Sequence, residues 1–384
     1  MTHALSEDDI YRTSTQYRLW SFSPESLAAL RKKTHDLALE RAQRYACNDN
    51  GDVEFLTQEE ELRLVQRYCD QVRTTSDHFK WPVNVEATAV QYLTRFYLTN
   101  STLTYPPKEI YKTVLFLACK TEATHMTLSE YARRISTEAE VVLAPEYKVM
   151  QALRFTLDVR QPFRALKGAL MELLNLAEGM VGGEDGDGDG EELQAQMLDV
   201  PPPPQGSKTQ WKHPGAGKVG AEQLHDRIQA AYSAARNLLD APALLTDVYL
   251  LYTPSQILLA ALQLADEPLT SFYLSTKLFA SDSLTRPKIL ATISACADML
   301  AAFSPSQVLT KDDRNALEAK LERCRDPSTR DLVKAFAAMR QDGSGEEGEG
   351  VRKRRRLERE KSQKEGDDLF GPSLQRPKAN GAGG

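Results

Sequence analysis

Residues 106–155 read PPKEIYKTVLFLACKTEATHMTLSEYARRISTEAEVVLAPEYKVMQALRF, and this stretch decides the fold. Pro106-Pro107 opens a helix, because proline is tolerated where the first-turn N–H groups have no intrahelical acceptor. That helix runs from Lys108 to Lys120 through the apolar run Val114-Leu115-Phe116-Leu117-Ala118-Cys119. Thr127 can cap a short helix carrying Leu128, Tyr131 and Ile135. A further helix is expected from Glu138 to Phe155, with a kink or a fresh start at Pro145. Two charges stand out. Lys120 closes the apolar run, and Glu146 shares a helical stripe with Val142, Val149, Met150 and Leu153. A lone charge taken out of water costs on the order of several kcal/mol, so each either sits at the rim of the stripe or is reserved for a partner. The partner reading is the one adopted.

The same helical spacing extends in both directions. Upstream, Ser23-Pro24 starts a helix expected to bury Leu27, Leu30, Leu37 and Tyr45 on a narrow face. Thr57 and Glu60 make a capping box ahead of Leu62, Val65, Tyr68, Cys69 and Val72. After the Trp81-Pro82 break, Val85, Ala89, Tyr92 and Phe96 form the stripe of the next helix. Residues 57–158 thus hold five helices with short connections and no strand-like alternation. Downstream, Pro162 opens another apolar helix with Phe163, Leu166, Leu170, Leu173 and Leu174. Helical periodicity resumes at Leu224, and Thr253-Pro254-Ser255-Gln256 opens an apolar helix through Ile257, Leu258, Ala261 and Leu262. A short helix and a longer one with Ile289, Ile293, Cys296 and Leu300 follow. Order and lengths repeat between the two halves, so an all-α chain of two tandem five-helix units with extra N- and C-terminal helices is expected. The expected boundaries are 1–56 for the N-terminal segment, 57–158 and 159–305 for the units, 306–340 for C-terminal helices and 341–384 for a disordered tail. Residues 179–218, with the run GGEDGDGDGEE and Pro201 to Pro204, are expected to be a disordered insertion, since they bury too little apolar area to offset ordering entropy.

The 384 residues carry a net charge of −6, which gives no global attraction to nucleic acid or anionic membrane. Five scattered cysteines, with no C-x-x-C, suit reduced thiols and argue against structural zinc. The N-terminus lacks a signal-like apolar region, and no apolar run approaches the roughly 18 residues of a spanning helix. An intracellular, soluble protein with no membrane role is expected. Asp185-Gly-Asp187-Gly-Asp189-Gly190 imitates the start of a calcium loop, but Gln196 stands where the bidentate Glu is required. The histidines show no ligand spacing, and no phosphate loop, nucleophile motif or kinase signature is present. No catalytic constellation, metal or cofactor is expected. The basic run Arg352, Lys353, Arg354, Arg355 and Arg356 lies in the expected flexible tail, and nuclear import is its best reading.

Two segments carry a family resemblance: Phe116-Leu117-Ala118-Cys119-Lys120-Thr121-Glu122, and Pro145-Glu146 onward to Leu157, their charges 26 residues apart. In order, within a five-helix unit that repeats, they resemble the two signature segments of the cyclin box. Flanking stretches are similar to the H-type branch of that family: Tyr92 to Ser101, Trp20-Ser21-Phe22-Ser23, Leu245 to Gln256 and Lys320-Leu321-Glu322-Arg323-Cys324. The insertion suits a fungal member. The resemblance covers about residues 17–340 apart from the insertion. It implies a non-catalytic subunit in which Lys120 and Glu146, with Phe116, Leu117 and Glu122 beside them, hold the αC region of a cyclin-dependent kinase. Both charges are then satisfied only in the complex. It further implies a CDK-activating kinase, a RING-type assembly subunit, membership of TFIIH, a nuclear location, and phosphorylation of other cyclin-dependent kinases and of the RNA polymerase II C-terminal repeats. The Glu61 to Tyr68 segment lacks the apolar-plus-Trp patch with which cell-cycle cyclins recruit substrates, so that function is not carried over. Another transcriptional cyclin is the alternative. A cyclin-fold nucleic-acid-binding factor is the rival from another class, but the basic face and zinc ribbon it needs are not seen in the sequence, and direct sequence-specific nucleic-acid binding is not expected.

Overall fold

The computed structural model describes residues 7–46, 53–180, 189–212, 220–278 and 285–345. It divides into two units, Met1–Arg330 and Asp331–Gly384. Among the described residues every regular element is helical.

The first unit opens with α1 (Glu7–Thr13), α2 (Thr15–Trp20) and α3 (Pro24–Ala46). Ser23 Oγ accepts from the Ser26 amide at 3.2 Å, so α3 begins where its Ser-Pro pair placed it. Its buried face differs from the expected one. Leu27, Ala38 and Ala42 are buried, whereas Leu37 and Tyr45 are each 47% exposed. Small alanines let α3 approach the helix beneath it, where Thr34 Oγ1 donates to the Leu98 carbonyl at 2.8 Å.

The first repeat comprises α4 (Gln58–Phe79), α5 (Val83–Thr99), α6 (Pro107–Thr121), α7 (Leu128–Arg134), α8 (Ala139–Leu143) and α9 (Glu146–Ala152). The Thr57/Glu60 capping box is closed in both directions, at 2.8 and 3.2 Å. Helix α5 is the axis, with Val85, Val90, Leu93 and Phe96 fully buried between α4 and α6. Pro145 splits the expected fifth helix into α8 and α9, because its ring cannot donate to the ladder.

The second repeat comprises α10 (Phe163–Ala177), α11 (Asp189–Leu198), α12 (Ala221–Leu239), α13 (Ala241–Leu244), α14 (Val248–Leu251), α15 (Pro254–Ala265), α16 (Glu267–Lys277) and α17 (Arg286–Ala301). Helix α10 packs on α12, α12 on α15, and α15 on α16 and α17; likewise α4 packs on α5, α5 on α6, and α6 on α8 and α9. The apolar α15 is the counterpart of α6, with Ile257, Ala260, Ala261 and Ala265 fully buried.

The expectation of a disordered insertion is corrected. Residues 189–212 are folded onto the second repeat: Met197 of α11 is fully buried, Gln194 Nε2 donates to the Ala177 carbonyl at 2.6 Å, and the Lys208 amide to the Leu264 carbonyl at 2.9 Å. A few well-placed anchors outweigh a polar average. The rest of the acidic tract and residues 213–219 lie outside the described residues.

Helix α18 (Lys311–Cys324) returns to the first repeat, where Lys320 Nζ reaches Glu54 at 2.6 Å and Glu60 at 3.0 Å. The buried Arg325 that follows it donates to Glu109 at 2.8 Å. The second unit contains α19 (Leu332–Gly345).

Candidate functional site

Lys120 sits in the last turn of α6, and Glu146 is the first residue of α9. The restart at Pro145 turns the Glu146 side chain toward α6, where Lys120 Nζ donates to its Oε1. Lys120 Nζ also lies 4.8 Å above the Phe116 ring, a cation–π contact. Their side chains are 42% and 26% exposed. This corrects the expectation that both charges are satisfied only in a complex. They stand at the rim of the apolar stripe, and each is the other's partner in the free chain.

The companions expected around them divide. Phe116 and Leu117 are 5% and 4% exposed, so they belong to the core under the rim. Phe116 packs against Tyr131 at a centroid separation of 4.9 Å, and so props Lys120 from below. Glu122 turns back onto α5, where Thr88 Oγ1 donates to it at 2.7 Å. Its carboxylate is a brace between helices.

Two residues that the sequence did not single out are exposed on α9 and just beyond its end. Tyr147 is 58% exposed and Phe155 60%. The helix expected to reach Phe155 ends early: α9 stops at Ala152, and Arg154 and Phe155 follow with φ of +54° and +56°. L-residues with side chains beyond Cβ enter that region only when the surroundings hold them there. Here the Arg154 amide donates to the Gln151 carbonyl at 2.9 Å and the Phe155 amide to the Met150 carbonyl at 3.0 Å. The ring is thereby held outward beside the helix end.

The N-terminal segment is fastened close by. Trp20 is 1% exposed and lies between the Arg95 and Arg154 guanidinium groups, 5.1 and 5.2 Å from its ring centroid. Its Nε1 donates to Thr156 Oγ1 at 3.0 Å. Arg95 is itself 1% exposed, and burial lowers its pKa to about 10. A charge among Tyr92, Leu93, Phe96 and Tyr97 was the available sequence signal for this stack.

Burial pushes the thiols of Cys69, Cys119 and Cys296 up to about 12, so they are protonated near neutrality. Among the described residues, no group of three or more His, Cys, Asp or Glu side chains is arranged to hold a metal ion. No single helix there is long and apolar enough to cross a membrane. Arg352 to Arg356 lie outside the described residues.

Residues 38–158 match the cyclin N-terminal domain, and residues 161–301 match the cyclin C-terminal domain. The chain belongs to the cyclin family. Within it, the chain is similar to the probable cyclin-H of Echinococcus multilocularis, 30% identical over 356 residues, covering 86% of this chain and 96% of that protein. Cyclin CCL1 of Saccharomyces cerevisiae is 31% identical over 287 residues, or 71% of this chain; the match spans only 62% of that longer protein. Among solved structures, a chain of the Chaetomium thermophilum CAK complex bound to ATP-gamma-S superposes with a TM-score of 0.70 at 35% identity, covering 90% of this chain and 98% of that one. A chain of the yeast TFIIK (Kin28/Ccl1/Tfb3) complex gives a TM-score of 0.55 at 28% identity, covering 76% and 100%.

Proposed function

We propose that this chain is the regulatory cyclin of a CDK-activating kinase, and that the rim between α6 and α9 docks the αC region of the catalytic subunit. The observation that carries the reading is the Lys120–Glu146 pair, partly exposed above buried Phe116 and Leu117, with Tyr147 of α9 and Phe155 just beyond its end exposed as well. Kinases need an αC glutamate paired with the β3 lysine before ATP phosphates are aligned, so a partner that binds the αC-in state better shifts the kinase toward it. On docking, Lys120 exchanges Glu146 for backbone carbonyls of the kinase and Glu146 exchanges Lys120 for backbone amides, while Tyr147 and Phe155 lose water. Phe116, Leu117 and Glu122 set the shape and stiffness of the rim.

The similarity to chains of CAK and TFIIK assemblies supports the wider reading. In it the chain is a non-catalytic subunit of TFIIH, held with its kinase by a RING-type subunit. The assembly phosphorylates other cyclin-dependent kinases and the RNA polymerase II C-terminal repeats. It works in the nucleus, with Arg352 to Arg356 as the import signal.

Lys120→Glu places two carboxylates together at the rim and is expected to abolish kinase capture and activation while far-ultraviolet circular dichroism stays unchanged. Retained capture with full activation would overturn the interface. DNA retention in moderate salt that survives deletion of residues 341–384 would overturn the protein-only reading of partners.

A further inference from the structure

The folded part of the insertion has no role in the reading above. Its anchors converge on Arg227 of α12, which is 1% exposed. Its guanidinium grips Asp266 with Nε at 2.7 Å and Nη2 at 2.8 Å. Nη1 donates to the Val200 carbonyl at 3.0 Å and Nη2 to the Pro201 carbonyl at 2.7 Å. The Trp211 ring covers the same guanidinium at 5.3 Å. A buried charge is costly unless its donors find acceptors, and the insertion supplies two of the four oxygens that this guanidinium meets. Residues 189–212 are therefore a strap fixed upstream of the prolines by α11, at their start by Arg227, and beyond them by the Lys208 amide on Leu264.

Between these anchors runs Pro201-Pro202-Pro203-Pro204. Each ring locks φ near −65°, and each residue followed by proline is steered to extended backbone. Proline stereochemistry thus steers the run into a short polyproline helix, in which, with three residues per turn, Pro201 and Pro204 share one edge. Both are exposed, as is Pro202, while Pro203 is half-buried. Gly206, at φ +102°, turns the chain immediately afterwards, and the Ser207 amide donates to the Pro204 carbonyl at 3.2 Å. Four residues without an N–H offer nothing to a helix or a sheet. Held rigid and turned outward, they offer ridged apolar rings and, between the bonded carbonyls of Pro201 and Pro204, the carbonyls of Pro202 and Pro203.

We propose that Pro201–Pro204 is a preformed docking ridge for a polyproline-binding module of a partner protein. Such a module presents parallel aromatic rings that receive Pro201 and Pro204, with an indole or phenol donor for the intervening carbonyls. Exposed Lys208 and Lys212 on the C-terminal side of the strap favour a module with an acidic rim. Because the ends are tied down, the ridge forfeits little conformational entropy on binding, which a free peptide does not share.

The test titrates the full chain into isolated SH3, WW and EVH1 domains, reading the fluorescence of each domain's groove tryptophan. At least one domain is expected to bind with micromolar affinity. Pro201→Ala combined with Pro204→Ala is expected to weaken it at least tenfold while the thermal midpoint of the chain stays within a few degrees. A synthetic peptide spanning residues 198–206 is expected to bind several-fold more weakly than the chain. Absence of binding across the panel, binding indifferent to the double substitution, or a free peptide that binds as tightly as the chain would each overturn the proposal. So would self-association of the chain that the double substitution removes, because the occupant would then be a second copy.

Discussion

Lys120 and Glu146 neutralise one another in the free chain, so the proposed docking is the exchange of a pair and not the filling of two vacancies. Exposed pairs contribute about 0–1 kcal/mol, and this one is partly exposed on both sides. Exchanging the charges, Lys120→Glu with Glu146→Lys, is therefore expected to change the urea-unfolding free energy by less than about 0.5 kcal/mol. Kinase capture is expected to stay lost, because each charge now meets the wrong backbone group. A large loss of stability would show the pair to be structural. The sequence exposed these two residues because a charge interrupts an apolar run at each. It could not rank their companions, since Phe116, Leu117 and Phe155 are equally apolar on paper. Burial of the first two follows from the packing of α6 on α5, and exposure of Phe155 from the end of α9 and its positive φ.

At the scale of elements, local rules worked where the backbone's own needs dominate. The Thr57/Glu60 box satisfies otherwise orphaned amides of α4, and Thr57→Ala is expected to cost about 1 kcal/mol in urea unfolding. Helix α11 shows where local rules fail. Its neighbourhood reads as polar and glycine-rich, yet Met197 is fully buried. Met197→Ala is expected to cost about 2–3 kcal/mol, a loss that a solvated insertion would not register. Hydrogen exchange across residues 189–212 is the companion measurement, with faster exchange expected in the variant. The misassigned face of α3 has a related cause. Ala38 and Ala42 carry too little hydropathy to outvote Leu37 and Tyr45, but their size permits the close approach to the helices below.

At the scale of the molecule, polar contacts tie the second repeat to the first repeat and to the N-terminal segment. Arg31 of α3 meets Asp247 with both terminal nitrogens at 2.6 Å, Gln66 Nε2 donates to the Leu245 carbonyl at 2.9 Å, and the Phe22 amide to the Leu250 carbonyl at 2.8 Å. Arg73 of α4 binds Asp240 at 2.8 Å while Glu86 of α5, only 4% exposed, lies 3.3 Å away. Burial first, and the neighbouring Asp240 second, raise Glu86 to about 8, against roughly 4.3 for a free glutamate. The folded state then holds a proton that the unfolded chain releases, so this contribution is complete below about pH 4.3 and is lost as pH rises to about 8. Glu86→Gln is expected to flatten that part of the stability–pH curve and to exceed wild type by at least about 1 kcal/mol above pH 8. An unchanged slope would reject the assignment. The helical class, most of the helix starts and the repeat are legible along the chain, because periodicity, caps and prolines are read within a turn or two of the residue that carries them. So are the two charges, Lys120 and Glu146. Packing alone settles that those charges pair, that the insertion straps the second repeat through Arg227, and that Glu86 is buried beside Arg73 and Asp240 with its pKa raised. Each of these depends on groups distant in sequence, whose separation in space no local pattern encodes.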